Sequence, residues 1–248
     1  MIDSFLAELG KRFAERWFTA LVIPGLLLSA AAWCAAVLGH AHALDLPQLV
    51  HVTRSRLVGL HLDTASTIAL ALAVLLLAIA GAGAAQALAW LVQRIWLLER
   101  KQRPVSFTGR QLRLLDQRIQ AEYHGLRIGL LWPRLWLLLP DSQRSAVQAA
   151  IDGIQHAALL TGWGLLYLML SAWWWPGLVI GALHLIIART ASRTQVTAYT
   201  TLVESLVDIS QHQLAAALGI ALPHGVITKP EAGQLNDRLH KSDKKEYS

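Results

Sequence analysis

Residues 67–92 contain no charged side chain, and this stretch constrains the fold more than any other part of the chain. A helix over this range would be about 39 Å long at roughly 1.5 Å per residue, whereas the hydrocarbon core of a bilayer is roughly 30 Å thick. The composition agrees with a membrane protein, because 54% of the residues are hydrophobic and only 15% are charged. The sequence therefore predicts a second transmembrane helix, continued by a stalk, over 65–98.

The chain before this helix predicts a first span and an interfacial segment. Residues 17–39 are uncharged and are expected to form transmembrane helix 1, kinked at Pro24. In 1–16 the apolar and charged residues fall on opposite helical faces, which predicts an amphipathic helix at the membrane interface. A cleaved signal peptide is the alternative, because the residues after the first apolar run fit a cleavage pattern. Residues 40–64 are expected to form an external loop that ends in a helix cap.

The second half of the chain predicts a helical hairpin. A turn signal, Trp175-Pro176-Gly177, separates transmembrane helix 3 at 157–175 from a fourth helix at 177–199. Arginines interrupt the fourth helix early, so it either crosses the membrane with these side chains snorkelling or belongs to a re-entrant hairpin. The flanking segments are predicted to be a cytoplasmic amphipathic region, 99–156, and a cytoplasmic helix with a disordered tail, 200–248.

Together these segments predict an all-α integral membrane protein, a bundle of about four spans made of two long helices and a C-terminal helical hairpin, with interfacial amphipathic helices. All but two of the 22 lysine and arginine residues lie outside the 40–64 loop. By the positive-inside rule, both termini and the 99–156 region are therefore expected to be cytoplasmic. Arginine-rich usage favours a bacterial protein, which places it in the plasma (inner) membrane as a multi-pass protein.

Basic and aromatic residues mark the expected membrane boundaries. Each cation near an anionic leaflet contributes about 1 kcal/mol to binding, so a basic collar at the end of the second helix should bind acidic lipid headgroups. Indole rings favour the interface because they present one apolar and one polar edge. The collar comprises Arg94, Arg100, Lys101 and Arg103, and the interface anchors are Trp132, Trp136, Trp173, Trp174 and Trp175.

The apolar segment 130–140, which carries two of these tryptophans, is too short to span a bilayer and too apolar for an exposed loop. Three placements stay open for it: packing on the membrane surface, burial against the cytoplasmic helices, or part of a groove for a protein partner. For the three consecutive tryptophans, a ligand-binding aromatic cluster is the alternative to interface anchors.

A polar stripe follows the fourth helix if that helix is continuous. Its residues recur at spacings of three and four and therefore share one face: Thr190, Thr194, Thr197, Thr201, Glu204 and Asp208. The simpler interpretation is a face turned to cytoplasmic water. The alternative is the mouth of an oligomeric pore, with acidic rings formed by the two carboxylates.

Close helix packing is expected at Gly83, Gly177 and Gly181, because small residues let membrane helices approach each other. The same residues serve equally well within one chain or between copies in a homo-oligomer.

The chain offers little recognisable chemistry. Imidazole and carboxylate groups of the external loop are suitable zinc donors, but their spacing matches no metal motif: His40, His42, His51, His61, Asp45 and Asp63. The sequence also contains no nucleotide-binding or nucleophile motif. The expected protein is therefore not an enzyme, and it binds no cofactor, metal or nucleic acid.

The leading interpretation is a non-enzymatic membrane anchor, scaffold or sensor for a cytoplasmic protein partner, acting as an oligomer. Abundant amphipathic sequence without catalytic motifs motivates it. The alternative is an oligomeric pore-forming or channel-type membrane effector. A membrane enzyme or metal-binding carrier that uses the external histidines is a third interpretation. The expected partners are the lipid bilayer, anionic headgroups, a cytoplasmic protein and further copies of the chain.

Overall fold

The computed structural model describes residues 22–59, 63–101, 106–125, 128–223, 225 and 227–240. The amphipathic helix predicted at 1–16 and the end of the tail at 241–248 lie outside the described residues. Within the described ranges every regular element is an α-helix and none is a strand, so the all-helical class is confirmed. The helices are α1 (Ile23–Leu38), α2 (Leu46–Gly59), α3 (Thr64–Lys101), α4 (Phe107–Glu122), α5 (Ile128–Leu138), α6 (Asp141–Leu170), α7 (Pro176–Ala217) and α8 (Lys229–His240).

Contacts divide the chain into two compact units. Unit 1 comprises Met1–Val92 and Ala158–Arg189, and unit 2 comprises Gln93–Ala157 and Thr190–Ser248. The boundaries fall inside helices, so α3, α6 and α7 each contribute residues to both units.

Among the described residues, two helices are long and apolar enough to cross a membrane by length and composition. The Thr64–Trp96 part of α3 has a mean hydropathy of 2.5 in its most apolar window, and α6 reaches 1.2. Only 17% of that window of α3 is buried inside the protein, and 33% of that of α6. The described part of α1 is apolar as well but shorter.

The buried face of α3 is made of alanine. Its buried positions in unit 1 are Ala78, Ala82, Ala85 and Ala89, whereas the larger apolar residues point away from the protein. Leu76, for example, is 66% exposed. This pattern is the reverse of that in a water-soluble helix, where leucine and isoleucine fill the core.

Small residues let the helices of unit 1 touch through their backbones. A Cβ atom added at Gly25 of α1 would lie 2.3 Å from the carbonyl oxygen of Ala78, and one at Gly162 of α6 would lie 2.3 Å from that of Ala85. Because a real Cβ atom does not approach another atom so closely, only glycine fits at these two positions. The indole of Trp163 is buried beside the same α3 alanines.

The hairpin of α6 and α7 packs in the same way. A Cβ atom at Gly177 would lie 2.8 Å from the Tyr167 carbonyl oxygen, and one at Gly181 would lie 2.9 Å from that of Gly164. The turn signal at Trp175-Pro176-Gly177 is confirmed, since α6 ends at Leu170 and Pro176 is the first residue of α7. The third predicted packing glycine, Gly83, differs, because a Cβ atom there would meet nothing within 4 Å.

Two helices extend beyond their predicted bounds. The third helix was expected to begin near 157, but α6 is continuous from Asp141. The fourth continues through its arginines to Ala217, a length of 42 residues. A change from apolar to polar residues does not by itself end a helix, because the backbone hydrogen bonds continue through it.

The structure also differs from the loop expected at 40–64, because Leu46–Gly59 form α2. Asp45 starts this helix, since its carboxylate accepts a hydrogen bond from the Gln48 backbone N–H at 3.0 Å. Pro47 falls in the first turn, where its missing N–H costs nothing. The predicted cap at the end of this connection is confirmed, because Asp63 accepts a hydrogen bond from the Ser66 N–H at 2.9 Å.

Unit 2 has an apolar core of its own. Along α5, Leu131, Leu135 and the following Leu139 are spaced by four and are fully buried, so the 130–140 segment packs one face against neighbouring helices. The other core residues come from α4, α6, α7, α8 and the segments that flank them, and they include Leu115, Ile119, Val147, Val203, Leu206, Val207, Leu214, Ile227 and Leu235.

The glycine contacts yield a paired prediction. Gly162→Ala places a methyl group against the α3 backbone and should lower the free energy of unfolding by about 1–3 kcal/mol, the usual cost of overpacking. Gly83→Ala in open space should leave it unchanged or raise it by up to about 1 kcal/mol, because alanine favours helix. Thermal unfolding in detergent micelles measures both. Equal effects of the two substitutions would contradict the described packing.

Candidate functional site

The best-defined polar contacts of unit 2 join α4 to α7, and α4 is positioned by its own sequence. Ser106 caps its start by accepting a hydrogen bond from the Gly109 N–H at 3.0 Å. Gly125 ends it with a φ of +92°, a conformation that favours glycine. Ile119 and Tyr123 lie on the buried face between them. This helix lies within the amphipathic region predicted at 99–156.

Two side chains of α4 reach carboxylates of α7. The Arg118 guanidinium lies 3.0 Å from Glu204, and the Tyr123 hydroxyl donates a hydrogen bond to Asp208. The two carboxylates are four residues apart, so they occupy adjacent turns of one helical face. The pairs fix the position of α4 along α7.

The Tyr123–Asp208 pair has a defined protonation state. The pKa of the Tyr123 phenol is raised well above its usual value, first by burial and then by its hydrogen bond to the Asp208 carboxylate and the negative charge of that group. The phenol therefore stays protonated at neutral pH and acts as a donor. This arrangement stabilises a helix contact.

A small cavity lies beside this contact, inside the core of unit 2. Its volume is about 10 Å³, and its lining includes Tyr123, Ser210 and Gln211 together with apolar side chains. A space of this size holds about one water molecule. It is therefore too small to receive a substrate or cofactor.

The predicted polar stripe of α7 divides into two parts. Thr190, Thr194, Thr197 and Thr201 are exposed. Glu204 and Asp208, which the pore interpretation assigns to acidic rings, are instead the partners of Arg118 and Tyr123. The sequence does not predict either pair, because the partners are 85 and 86 residues apart and no local pattern links them.

The predicted interface tryptophans lie in two groups. In unit 2, Trp132 and Trp136 are half-buried against the core, with ring centroids 6.1 Å apart. In unit 1, Trp173 and Trp175 are 67% and 44% exposed. Trp174 is partly buried and donates its indole N–H to the Ala43 carbonyl oxygen at 2.9 Å.

The basic collar is described in part. Arg94 is exposed on α3. Arg100 and Lys101 belong to the last turn of the same helix, but their side chains, like all of Arg103, lie outside the described residues.

The histidines and aspartates of the 40–64 connection have several separate partners. His40 contacts the backbone of Trp173, and the Nδ1 atom of His42 lies 3.9 Å from a carboxylate oxygen of Asp45. Asp63 caps α3, and the hydrogen bonds from Ser66 lower its pKa. Among the residues that the structure describes, no three histidine, cysteine or acidic side chains lie close enough to hold a metal ion. His61 lies outside the described residues.

Comparison of the chain with known protein families, curated proteins and solved structures found no match.

The Tyr123 contact predicts a specific pH dependence. Tyr123→Phe should lower the free energy of unfolding by about 1–2 kcal/mol at neutral pH, because it removes a hydrogen bond to a charged group. The folded-state pKa lies above the unfolded value of about 10, so this contribution is complete below pH 10 and is lost as the pH rises further.

Denaturant unfolding of the two proteins between neutral and strongly alkaline pH measures this contribution, since other titrating groups cancel in the difference. The two stabilities should converge above about pH 10. A constant difference across the whole range would show that Tyr123 contributes by packing alone.

Proposed function

We propose that this chain is a non-enzymatic, multi-pass membrane protein. Unit 1 is embedded in the plasma membrane, and unit 2 lies in the cytoplasm and presents its outer surface to a protein partner. The protein thus acts as an anchor, scaffold or sensor for that partner, in an assembly of several copies.

The observation that carries the membrane placement is the alanine-lined inner face of α3. In water, its exposed leucines and isoleucines would each leave about 1.5–3 kcal/mol of burial free energy unrealised. In lipid these residues need no cover, and helices associate through small residues instead. The distribution over the molecule agrees with this, because nearly all exposed large apolar residues of the described chain belong to unit 1.

The partner surface is proposed for unit 2 because its core has no described cavity that could hold a ligand. A function of unit 2 would therefore involve binding at its outer surface. Few large apolar residues break its polar exterior, among them Leu137 and Ile209, which are 75% and 69% exposed. We propose that the partner buries these side chains, because the core of a protein interface is more apolar than its rim. The cytoplasmic orientation rests on the excess of lysine and arginine in this part of the chain.

The experiment combines topology with partner binding. The topology is measured by cysteine-accessibility labelling in intact cells. A cysteine at exposed position 117 (Gln117→Cys) should not react with a membrane-impermeant reagent until the membrane is opened. Leu137→Glu or Ile209→Glu should then weaken co-purification of a stoichiometric protein partner by about tenfold or more. Gln117→Glu, an exposed change on α4 that adds the same charge, is the matched control.

Labelling of position 117 from outside would overturn the orientation. Monodisperse protein in buffer without detergent would overturn the membrane placement. Unchanged co-purification for both glutamate variants would overturn the partner surface while leaving the membrane placement intact.

The exposed threonines of α7 favour a second candidate, an oligomeric pore-forming or channel-type effector. The engagement of Glu204 and Asp208 by α4 weighs against it, because acidic rings need free carboxylates. We expect the purified protein to show no conductance in planar bilayers. If it does conduct, Thr197→Lys should shift its preference from cations towards anions, and that result would replace the scaffold proposal with the pore.

A further inference from the structure

We propose that α2 is an interfacial helix that binds the surface of an anionic bilayer and so fixes the outer end of unit 1 at the headgroup level. This inference rests on the proposed membrane placement of unit 1.

Within the protein, α2 has almost no support. It has 14 residues and none of them is buried. A helix of this length is marginal in water even with favourable residues, and most helical stability in proteins comes from the packing of an apolar face. One hydrogen bond, from the Trp33 indole to the Thr53 hydroxyl at 3.1 Å, ties it to α1. A further surface is needed to cover the helix.

The exposed side of α2 carries an apolar strip. Leu46, Val50 and Leu57 are 66%, 64% and 42% exposed. At 3.6 residues per turn these three positions fall within an arc of about 40°, so they form one line along the helix. Leu44, just before the helix, is 69% exposed. A further exposed residue, Val58, is 67% exposed and lies about 80° outside this arc. Such a strip on a short helix that also carries exposed basic residues is suited to insertion at the boundary of headgroups and acyl chains.

The charge of α2 identifies the surface as anionic. Arg54 and Arg56 are exposed, and the helix contains no aspartate or glutamate. The flanking carboxylates, Asp45 and Asp63, are helix caps that accept backbone hydrogen bonds. The two guanidinium groups are therefore complementary to lipid phosphates, each with five donors in a planar fork.

The segment before α2 is hydrogen-bonded to a turn whose exposed tryptophans indicate the headgroup level. His40 donates a ring N–H to the Trp173 carbonyl oxygen at 2.8 Å, and Trp174 donates to Ala43 at 2.9 Å. These bonds fasten the segment before α2 to the turn between α6 and α7. The same turn carries the exposed indoles of Trp173 and Trp175, and exposed tryptophans collect at membrane interfaces. The segment that leads into α2 thus lies against the turn that carries these tryptophans.

The test uses the full-length chain with Cys34→Ala, reconstituted in nanodiscs that contain phosphatidylglycerol. A nitroxide label at Val50→Cys should be accessible to oxygen and shielded from a water-soluble nickel reagent, at a depth of about 5–10 Å below the headgroups. A label at Ser55→Cys, exposed and about 140° further around the helix, is the matched control and should be accessible to the nickel reagent.

The lipid specificity is tested by the arginines. In the same nanodiscs, the nitroxide at Val50→Cys reports the ratio of inserted to free α2. Arg54→Gln should lower this ratio about fivefold, and Arg56→Gln should do the same. In nanodiscs of phosphatidylcholine alone neither change should have an effect, because the leaflet carries no net charge.

Each outcome decides the proposal. Nickel access at both positions would overturn it, since α2 would then lie in water. Shielding of Val50 from both reagents would show a protein cover, such as a second copy. Equal insertion in both lipids and in all variants would overturn the anionic recognition. If the chain cannot be reconstituted and stays soluble without lipid, the proposed membrane placement of unit 1 is wrong. That result differs from every outcome that tests α2 alone, so the two proposals can fail separately.

Discussion

Unit 1 depends on backbone contact between helices. Gly25 and Gly162 bring α1 and α6 onto the carbonyl oxygens of Ala78 and Ala85, so no larger side chain fits at these two crossings. Most of the large apolar side chains of α3 lie on the outside instead. In water such a unit would be poorly stabilised, since burial of large side chains is the main favourable term. In lipid the close contact itself is the source of stability, through dispersion and shape.

The sequence was sufficient where one local signal decides the structure. The cap before α3 and the turn signal before α7 each act within a few residues, and both predictions were confirmed. It was insufficient where the result depends on a distant neighbour. Gly83 and Gly162 are indistinguishable by composition, yet only Gly162 faces another backbone. The α2 helix was missed because its apolar residues form a strip too narrow for a clear period.

The same limit applies to the carboxylates of α7. By spacing alone, Glu204 and Asp208 continue a line of threonines, which is compatible with a solvated face and with a pore lining. Only the structure shows that Arg118 contacts Glu204 and that Tyr123 contacts Asp208. A polar stripe therefore carries functional meaning only after its intramolecular partners are known, because a carboxylate that fixes a helix is no longer available to an ion.

The two units place their large apolar residues differently. This difference supports both the proposed membrane placement of unit 1 and the proposed partner surface of unit 2. Unit 2 encloses Leu131, Leu135 and Leu235 in a core that holds a cavity of about 10 Å³. Chemistry on a small molecule needs a larger enclosed space, whereas recognition of a protein needs only an outer face. Unit 1 exposes its large residues, and it carries α2 beside the turn with the tryptophans. In the proposed arrangement, a bilayer around unit 1 restricts how unit 2 approaches a partner, and such restriction raises the effective concentration of a partner at the same membrane.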